Sequence, residues 1–114
     1  MTLRNARLAL VDLAKVRDYL LNASHPENGG KAEFFSRLGY VRERPEALAE
    51  ALRWVASAGT VVTSAQSPHG QKFVVDGDLP AQNGQKGGRA VRTVWIINTD
   101  EDVPRLVTAY PARG

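Results

Sequence analysis

The sequence of 114 residues contains no cysteine and only two histidines, His25 and His69. The absence of cysteine excludes disulfide bonds, a thiol nucleophile and thiolate metal ligands. With two histidines we expect no metal site, and we expect no cofactor. Gly29-Gly30-Lys31 is not a P-loop, because it lacks the full spacing of that phosphate-binding motif. No acidic pair resembles that of a glycosidase or a two-metal nuclease. Any reaction is therefore expected to be metal-independent and to use His, Lys, Arg, Thr and Tyr.

Long apolar runs are also absent. The longest have four residues, 8–11 and 94–97, whereas a membrane-spanning helix needs about 20. The first residues, Met-Thr-Leu-Arg-Asn-Ala-Arg, lack the apolar stretch of a secretory signal. We therefore expect a cytoplasmic protein with no membrane partner, although the end of a larger exported protein would show the same features.

The charge balance is mildly basic, with 15 Lys and Arg against 12 Asp and Glu and a net charge of +3. Hydrophobic residues make up 43% and charged residues 24%, which is typical of a folded globular protein. A basic balance is compatible with a polyanionic partner such as RNA. It is equally compatible with an ordinary surface of mixed charge.

Residue patterns divide the chain, which we expect to form a single domain over residues 1–114, into a helical half (about 12–58) and a sheet half (about 60–110). Asp12 is a predicted N-cap, Gly39 a predicted helix stop and Pro45 a predicted first-turn residue. The predicted helices are 12–22, 31–38 and 45–58, and the predicted strands are 60–66, 71–76, 89–98 and 105–110. A glycine-rich loop is predicted over 77–88. This order predicts an α+β fold with N-terminal helices packed on a four-stranded antiparallel sheet. The first strand is short and polar, which predicts a sheet edge open to a partner strand.

Period-two alternation assigns each strand two faces. The residues predicted to pack against the helices are Phe73, Val75, Val94, Ile96, Val107 and Ala109. The residues predicted on the opposite face are Lys72, Thr93, Trp95, Thr108 and Tyr110. Lysine supplies a point charge for phosphate, Thr and Tyr supply hydrogen bonds, and aromatic rings stack on bases. Arg92 is a further candidate for RNA contact. The alternative is that Thr, Trp and Tyr occur here because they pack well in strands.

His25 lies in a turn-rich loop six residues before Lys31. Histidine can take or give a proton near neutral pH, and Lys31 falls at the start of a predicted helix, whose amide groups attract anions. Together they are candidates for a phosphodiester-cleaving site. The alternative is that His25 only hydrogen-bonds the backbone and fixes the turn. His69 falls in a predicted hairpin turn, where polar residues are ordinary, and is a weaker candidate for RNA contact.

Several short motifs together resemble an uncharacterised bacterial domain family over most of the chain. They are Asp18-Tyr19-Leu20-Leu21-Asn22, His25-Pro26, Gly30-Lys31-Ala32, Phe34-Phe35, Leu38-Gly39, the run 72–77, Thr93-Val94-Trp95 and the run 104–111. The family occurs near toxin–antitoxin-like pairs and at the tips of polymorphic toxins. Its layout is similar to the barnase–EndoU–colicin–RelE class of metal-independent ribonucleases. The resemblance implies RNA as substrate and a cognate antitoxin or immunity protein as partner.

The first hypothesis is a small ribonuclease toxin, in which His25 takes the proton of an RNA 2′-hydroxyl. The alkoxide then attacks the adjacent phosphorus and forms a 2′,3′-cyclic phosphate. Lys31 or Lys72 is expected to stabilise the negative charge of the phosphorane, to which Thr93 and Thr108 donate hydrogen bonds. Tyr110 is expected to orient the phosphate or to protonate the leaving 5′-oxygen. Trp95 is expected to stack on a base. The alternatives are a non-catalytic RNA- or protein-binding module of a toxin–antitoxin-like pair, and an inactive toxin relative with an immunity-type or structural role.

Overall fold

The computed structural model describes residues 2–82 and 88–112. After a 3-10 turn at Ala6–Leu8, the elements are helix α1 (Leu13–Lys15), which continues as a π-helical turn (Val16–Leu20), then α2 (Lys31–Arg37), α3 (Pro45–Ala58), β1 (Thr60–Ser67), β2 (Gly70–Leu79), β3 (Arg89–Asn98) and β4 (Arg105–Pro111). The strands form one antiparallel sheet in the order β1-β2-β3-β4. The predicted α+β fold is therefore confirmed. Residues 83–87 of the predicted glycine-rich loop lie outside the described residues.

Local signals set the helix limits as expected. The Asp12 carboxylate accepts a hydrogen bond from the Ala14 N–H at 2.9 Å. Gly39 follows α2 with a φ of 94°, and Pro45 opens α3. None of the helices in the two described ranges is long and apolar enough to cross a bilayer.

In the first helix Leu13, Val16 and Leu20 recur at helical spacing, which predicts one apolar stripe, but only part of it faces the core. Val16 and Leu20 are fully buried, but Leu13 is 45% exposed. The Leu21 N–H bonds the Val16 carbonyl at 2.9 Å, one residue further back than in an α-helix. Since this wider turn changes the angle between successive residues, the stripe that faces the core begins at Val16.

The predicted faces of β3 are inverted. Trp95 pairs with Phe73, and Thr93 pairs with Val75, so each pair shares a face. That face is the core, because both Thr93 and Trp95 are 0% exposed. Val94 and Ile96, predicted in the core, are only half-buried on the other side. Both alternating sets of β3 are largely apolar, so alternation alone did not decide between them. The set containing the indole ring removes more apolar area from water, and it is inside.

The polar atoms that are buried with Trp95 all have hydrogen-bond partners. The Trp95 indole N–H donates to Thr93 Oγ1 at 2.7 Å, and the Thr93 hydroxyl donates to the Val75 carbonyl at 2.8 Å. No buried side-chain nitrogen or oxygen in the described residues lacks a partner. The role of Thr93 is therefore structural, because its hydroxyl gives the buried indole N–H of Trp95 a hydrogen-bond acceptor.

In β4 a bulge explains why Leu106 is buried although Val107 was predicted in the core. The register between β3 and β4 shifts between Val94 and Trp95, so that Thr108 pairs with Val94 and Leu106 pairs with Trp95. Leu106 and Ala109 are both buried, three positions apart, and Val107 is half-buried. The predicted core positions Phe73, Val75 and Ala109 do belong to the core or pack against it.

The two sheet edges differ. Along β4, the N-terminal segment adds a parallel bridge between Leu10 and Arg105, with hydrogen bonds from Leu10 N–H to Pro104 O (2.8 Å) and from Leu106 N–H to Leu10 O (3.0 Å). The Lys15 ammonium donates to the Val107 carbonyl at 3.0 Å. The edge of β4 is thus covered over its first residues, 105–107, whereas β1 forms the opposite edge of the sheet. We call the sheet surface away from the helices the open face.

Replacing Thr93 by Val should lower the free energy of unfolding by about 1–3 kcal/mol, because the buried Trp95 N–H loses its acceptor while the shape is kept. Urea unfolding followed by tryptophan fluorescence measures this. The matched control is Thr63→Val on the exposed strand β1, where a change within about 0.5 kcal/mol is expected. Equal stability of Thr93→Val and wild type would contradict the role given to the hydroxyl.

Candidate functional site

A tyrosine that was not among the predicted site residues stands at the centre of the site. Tyr19 lies in the π-helical turn and packs at the margin of the core. Its hydroxyl is 3.2 Å from Thr108 Oγ1, on the open face. His25 and Lys31 both contact its ring, as detailed below. We name Tyr19, His25, Lys31 and Thr108 the tyrosine cluster. π-helical turns often occur at functional sites, and Tyr19 belongs to one of the motifs behind the family resemblance.

His25 stands edge-on to Tyr19, with ring centroids 4.9 Å apart and an interplanar angle of 64°. Its Nδ1 accepts a hydrogen bond from the Glu27 N–H at 3.0 Å. A ring nitrogen that accepts carries no proton, so in the neutral ring the proton is on Nε2. In this arrangement His25 is a hydrogen-bond donor through Nε2. The predicted base role would require Nδ1 to release the Glu27 amide.

Lys31, the first residue of α2, has its side chain held against the same loop. Its ammonium donates to the Asn28 carbonyl at 3.1 Å and to the Glu27 carbonyl at 3.4 Å. It also lies 5.4 Å from the centroid of the Tyr19 ring, within the range of a cation–π contact. These contacts bring a full positive charge next to the phenol that bonds Thr108.

Asn28 is the buried residue that fixes this arrangement, and sequence reasoning missed it. It is 2% exposed. Its amide nitrogen donates to the carbonyls of Tyr19 and Leu20, and its side-chain oxygen accepts from the Ala32 N–H at 2.9 Å. The side chain therefore ties the end of the π-helical turn to the start of α2. The available signal was an Asn directly before Gly29-Gly30, which marks a structured turn.

A second row of polar residues crosses the open face beside Thr108, starting at Tyr110, the next residue on the same face of β4. Tyr110 pairs with Arg92, and Arg92 pairs with Asp76. The Arg92 fork is bound in bidentate fashion by the Asp76 carboxylate, with two hydrogen bonds of 2.8 Å. These bonds, and then the negative charge of Asp76, raise the pKa of Arg92 above its usual value. Asp76 occupies two of the five guanidinium N–H groups and fixes the direction of the side chain, and the contact of Arg92 with RNA stays a prediction. The row ends in a pocket lined by Arg92, Tyr110, Pro111 and Ala112.

The remaining predicted site residues lie elsewhere. Lys72 is exposed on the open face opposite Ile96, about two strand spacings from Thr108, and within the described ranges no hydrogen bond joins it to the tyrosine cluster. His69 lies in the β1–β2 turn, where its carbonyl accepts from the Thr99 N–H. Thr93, predicted to bond the phosphorane, and Trp95, predicted to stack on a base, are 0% exposed, so their predicted placement on the open face is wrong. In the described part of the chain, no three His, Asp or Glu side chains gather as metal ligands would.

Comparisons with known proteins support the fold. The chain is similar to a chain of the contact-dependent growth inhibition toxin–immunity protein complex from Klebsiella pneumoniae 342, with a TM-score of 0.71 and 17% sequence identity over 90% of this chain and 98% of that chain. No curated protein sequence matches. The model of a family described as a domain of unknown function (DUF6883) matches residues 2–113, and the chain therefore belongs to that family.

Proposed function

We propose that the protein is a metal-independent ribonuclease toxin of the barnase–EndoU–colicin–RelE class, which cleaves RNA through its own 2′-hydroxyl. The observation that carries the proposal is the tyrosine cluster, in which His25 and Lys31 from one loop region and Thr108 from β4 all contact one phenol. The similar chain from Klebsiella pneumoniae 342 belongs to a toxin–immunity protein complex, which supports the same kind of system here. A cognate antitoxin or immunity protein is the expected protein partner.

The cluster carries the groups that stabilise a pentacoordinate phosphorus. Lys31 supplies a positive charge, and His25 Nε2–H and the Thr108 hydroxyl supply hydrogen-bond donors for its oxygens. Lys72, at a distance on the open face, suits a contact with a neighbouring backbone phosphate.

The proposed reaction is a transesterification. The 2′-oxygen forms a bond to phosphorus and its proton passes to water, while the bond from phosphorus to the 5′-oxygen breaks. Tyr110 protonates the departing 5′-oxygen, and the adjacent Arg92 stabilises the phenolate until solvent returns the proton. The products are a 2′,3′-cyclic phosphate and a 5′-hydroxyl.

A second candidate function is a non-catalytic, protein-binding member of the same kind of system. The groove beside His25 favours it, since Asp12, Asp18 and Glu27 line that groove together with a single lysine, Lys15. Carboxylates repel an RNA backbone, whereas they suit a basic protein surface.

Purified protein incubated with total RNA in EDTA tests the proposal. We expect cleavage with 2′,3′-cyclic phosphate ends, and Thr108→Val should lower kcat by about 100-fold because one donor to the phosphorane is lost. Thr63→Val, on the far strand, is the matched control and should cleave like wild type. RNA binding without turnover by the wild-type protein would favour the non-catalytic module.

The role of His25 is tested by two substitutions in the same assay. His25→Gln keeps a donor near the position of Nε2 but cannot take a proton, so we expect it to retain activity within about tenfold of wild type. His25→Ala should lose about 100-fold or more. If the glutamine variant is as impaired as the alanine variant, and both melt at the wild-type temperature, His25 acts in proton transfer.

A further inference from the structure

β1 has the largest share of exposed residues among the four strands of the sheet. Six of its eight residues are exposed, including Val62 at 47%. In the described ranges no strand pairs with its outer side, whereas the N-terminal segment covers the edge of β4. An edge of this kind presents unpaired N–H and C=O groups to any strand that approaches.

The usual protection of such an edge is missing. Proteins commonly place Lys, Pro or inward-pointing charges on exposed edge strands. β1 has none, and the sequence contains no Asp, Glu, Lys or Arg from Trp54 to Gln71. A bulge between Val61 and Thr63 disturbs only the beginning of the strand, and residues 63–67 pair regularly with β2.

We propose that β1 pairs in antiparallel fashion with β1 of a second copy of this chain, about a two-fold axis at Ala65, to form a continuous eight-stranded sheet. In this register Thr63 faces Ser67 of the second copy, Ser64 faces Gln66, and Ala65 faces itself. Hydroxyl meets hydroxyl, hydroxyl meets amide, and methyl meets methyl. The segment is therefore complementary to itself, as a two-fold interface requires.

Charge does not oppose this pairing. The charged residue nearest the axis is Lys72, which pairs with Ala65 in its own copy. Three strand spacings, about 14 Å, separate the backbones of the two Lys72 residues, which exceeds the screening length at physiological salt. Because five residues a side bury less than a standard interface, we expect a dissociation constant between about 10 μM and about 1 mM.

The test measures mass by sedimentation between about 1 μM and about 1 mM. For the wild-type protein we expect the weight-average mass to rise from 12.4 kDa towards twice that value. Ala65→Lys puts like charges face to face at the axis and should raise the dissociation constant at least about tenfold. Ala90→Lys is the matched control, since Ala90 is also an exposed alanine in a strand, and it should associate like wild type.

Mixing provides the sharper measurement. Ala65→Lys and Ala65→Asp should each be monomeric alone and should associate when combined, because opposite charges then meet at the axis. A wild-type protein that stays monomeric at about 1 mM would overturn the proposal and leave the edge to another protein. So would an Ala65→Lys variant that associates as well as wild type. RNA cleavage is measured separately, so failure of either proposal leaves the other standing.

Discussion

The burial of Trp95 is the constraint on which the rest of the sheet depends. An indole brings a large apolar area into the core, but its N–H needs an acceptor there. Thr93 supplies that acceptor from the same face of the same strand and passes the hydrogen bond on to the Val75 carbonyl. Once this face of β3 is inside, Arg92 and Val94 must lie on the open face. The register with β4 then brings Thr108 and Tyr110 to that face as well.

The N-terminal helix connects this sheet surface to the loop that holds His25 and Lys31. The wider turn at Val16–Leu20 buries two side chains and leaves Tyr19 at the margin of the core. From there its hydroxyl meets Thr108, and its ring meets the loop. Asn28 holds the loop by hydrogen bonds to backbone on both sides. The cluster thus stands on a buried polar anchor, which is how side chains on a loop keep a fixed geometry.

Much of the architecture was predictable because it depends on local signals. Asp12, Gly39 and Pro45 mark helix limits because each residue type has a backbone preference that can be recognised in the sequence alone. After Gly59 the spacing of apolar residues changes from the helical period to two, which marks the start of the sheet. The faces of β3 were not predictable from alternation, since both sets of side chains are largely apolar. The set that contains Trp95 is inside because it removes more apolar area from water, and it pairs with Phe73 and Val75. His25, Lys31 and Thr108 were predicted as site residues because their imidazole, ammonium and hydroxyl groups can each act on a phosphate. Tyr19 and Asn28 were missed, because one acts through an irregular turn and the other through contacts with distant backbone.

The covered edge of β4 sets a limit on growth. A sheet with two free edges can add molecules at both sides and extend into a fibre. Here the segment around Leu10 pairs with the start of β4, whereas no strand of the described residues pairs with the outer side of β1. Strand addition through β1 alone would end after a single step. The first residues of the chain thus oppose strand addition at β4. The uncharged strand β1 can therefore remain accessible without open-ended polymerisation.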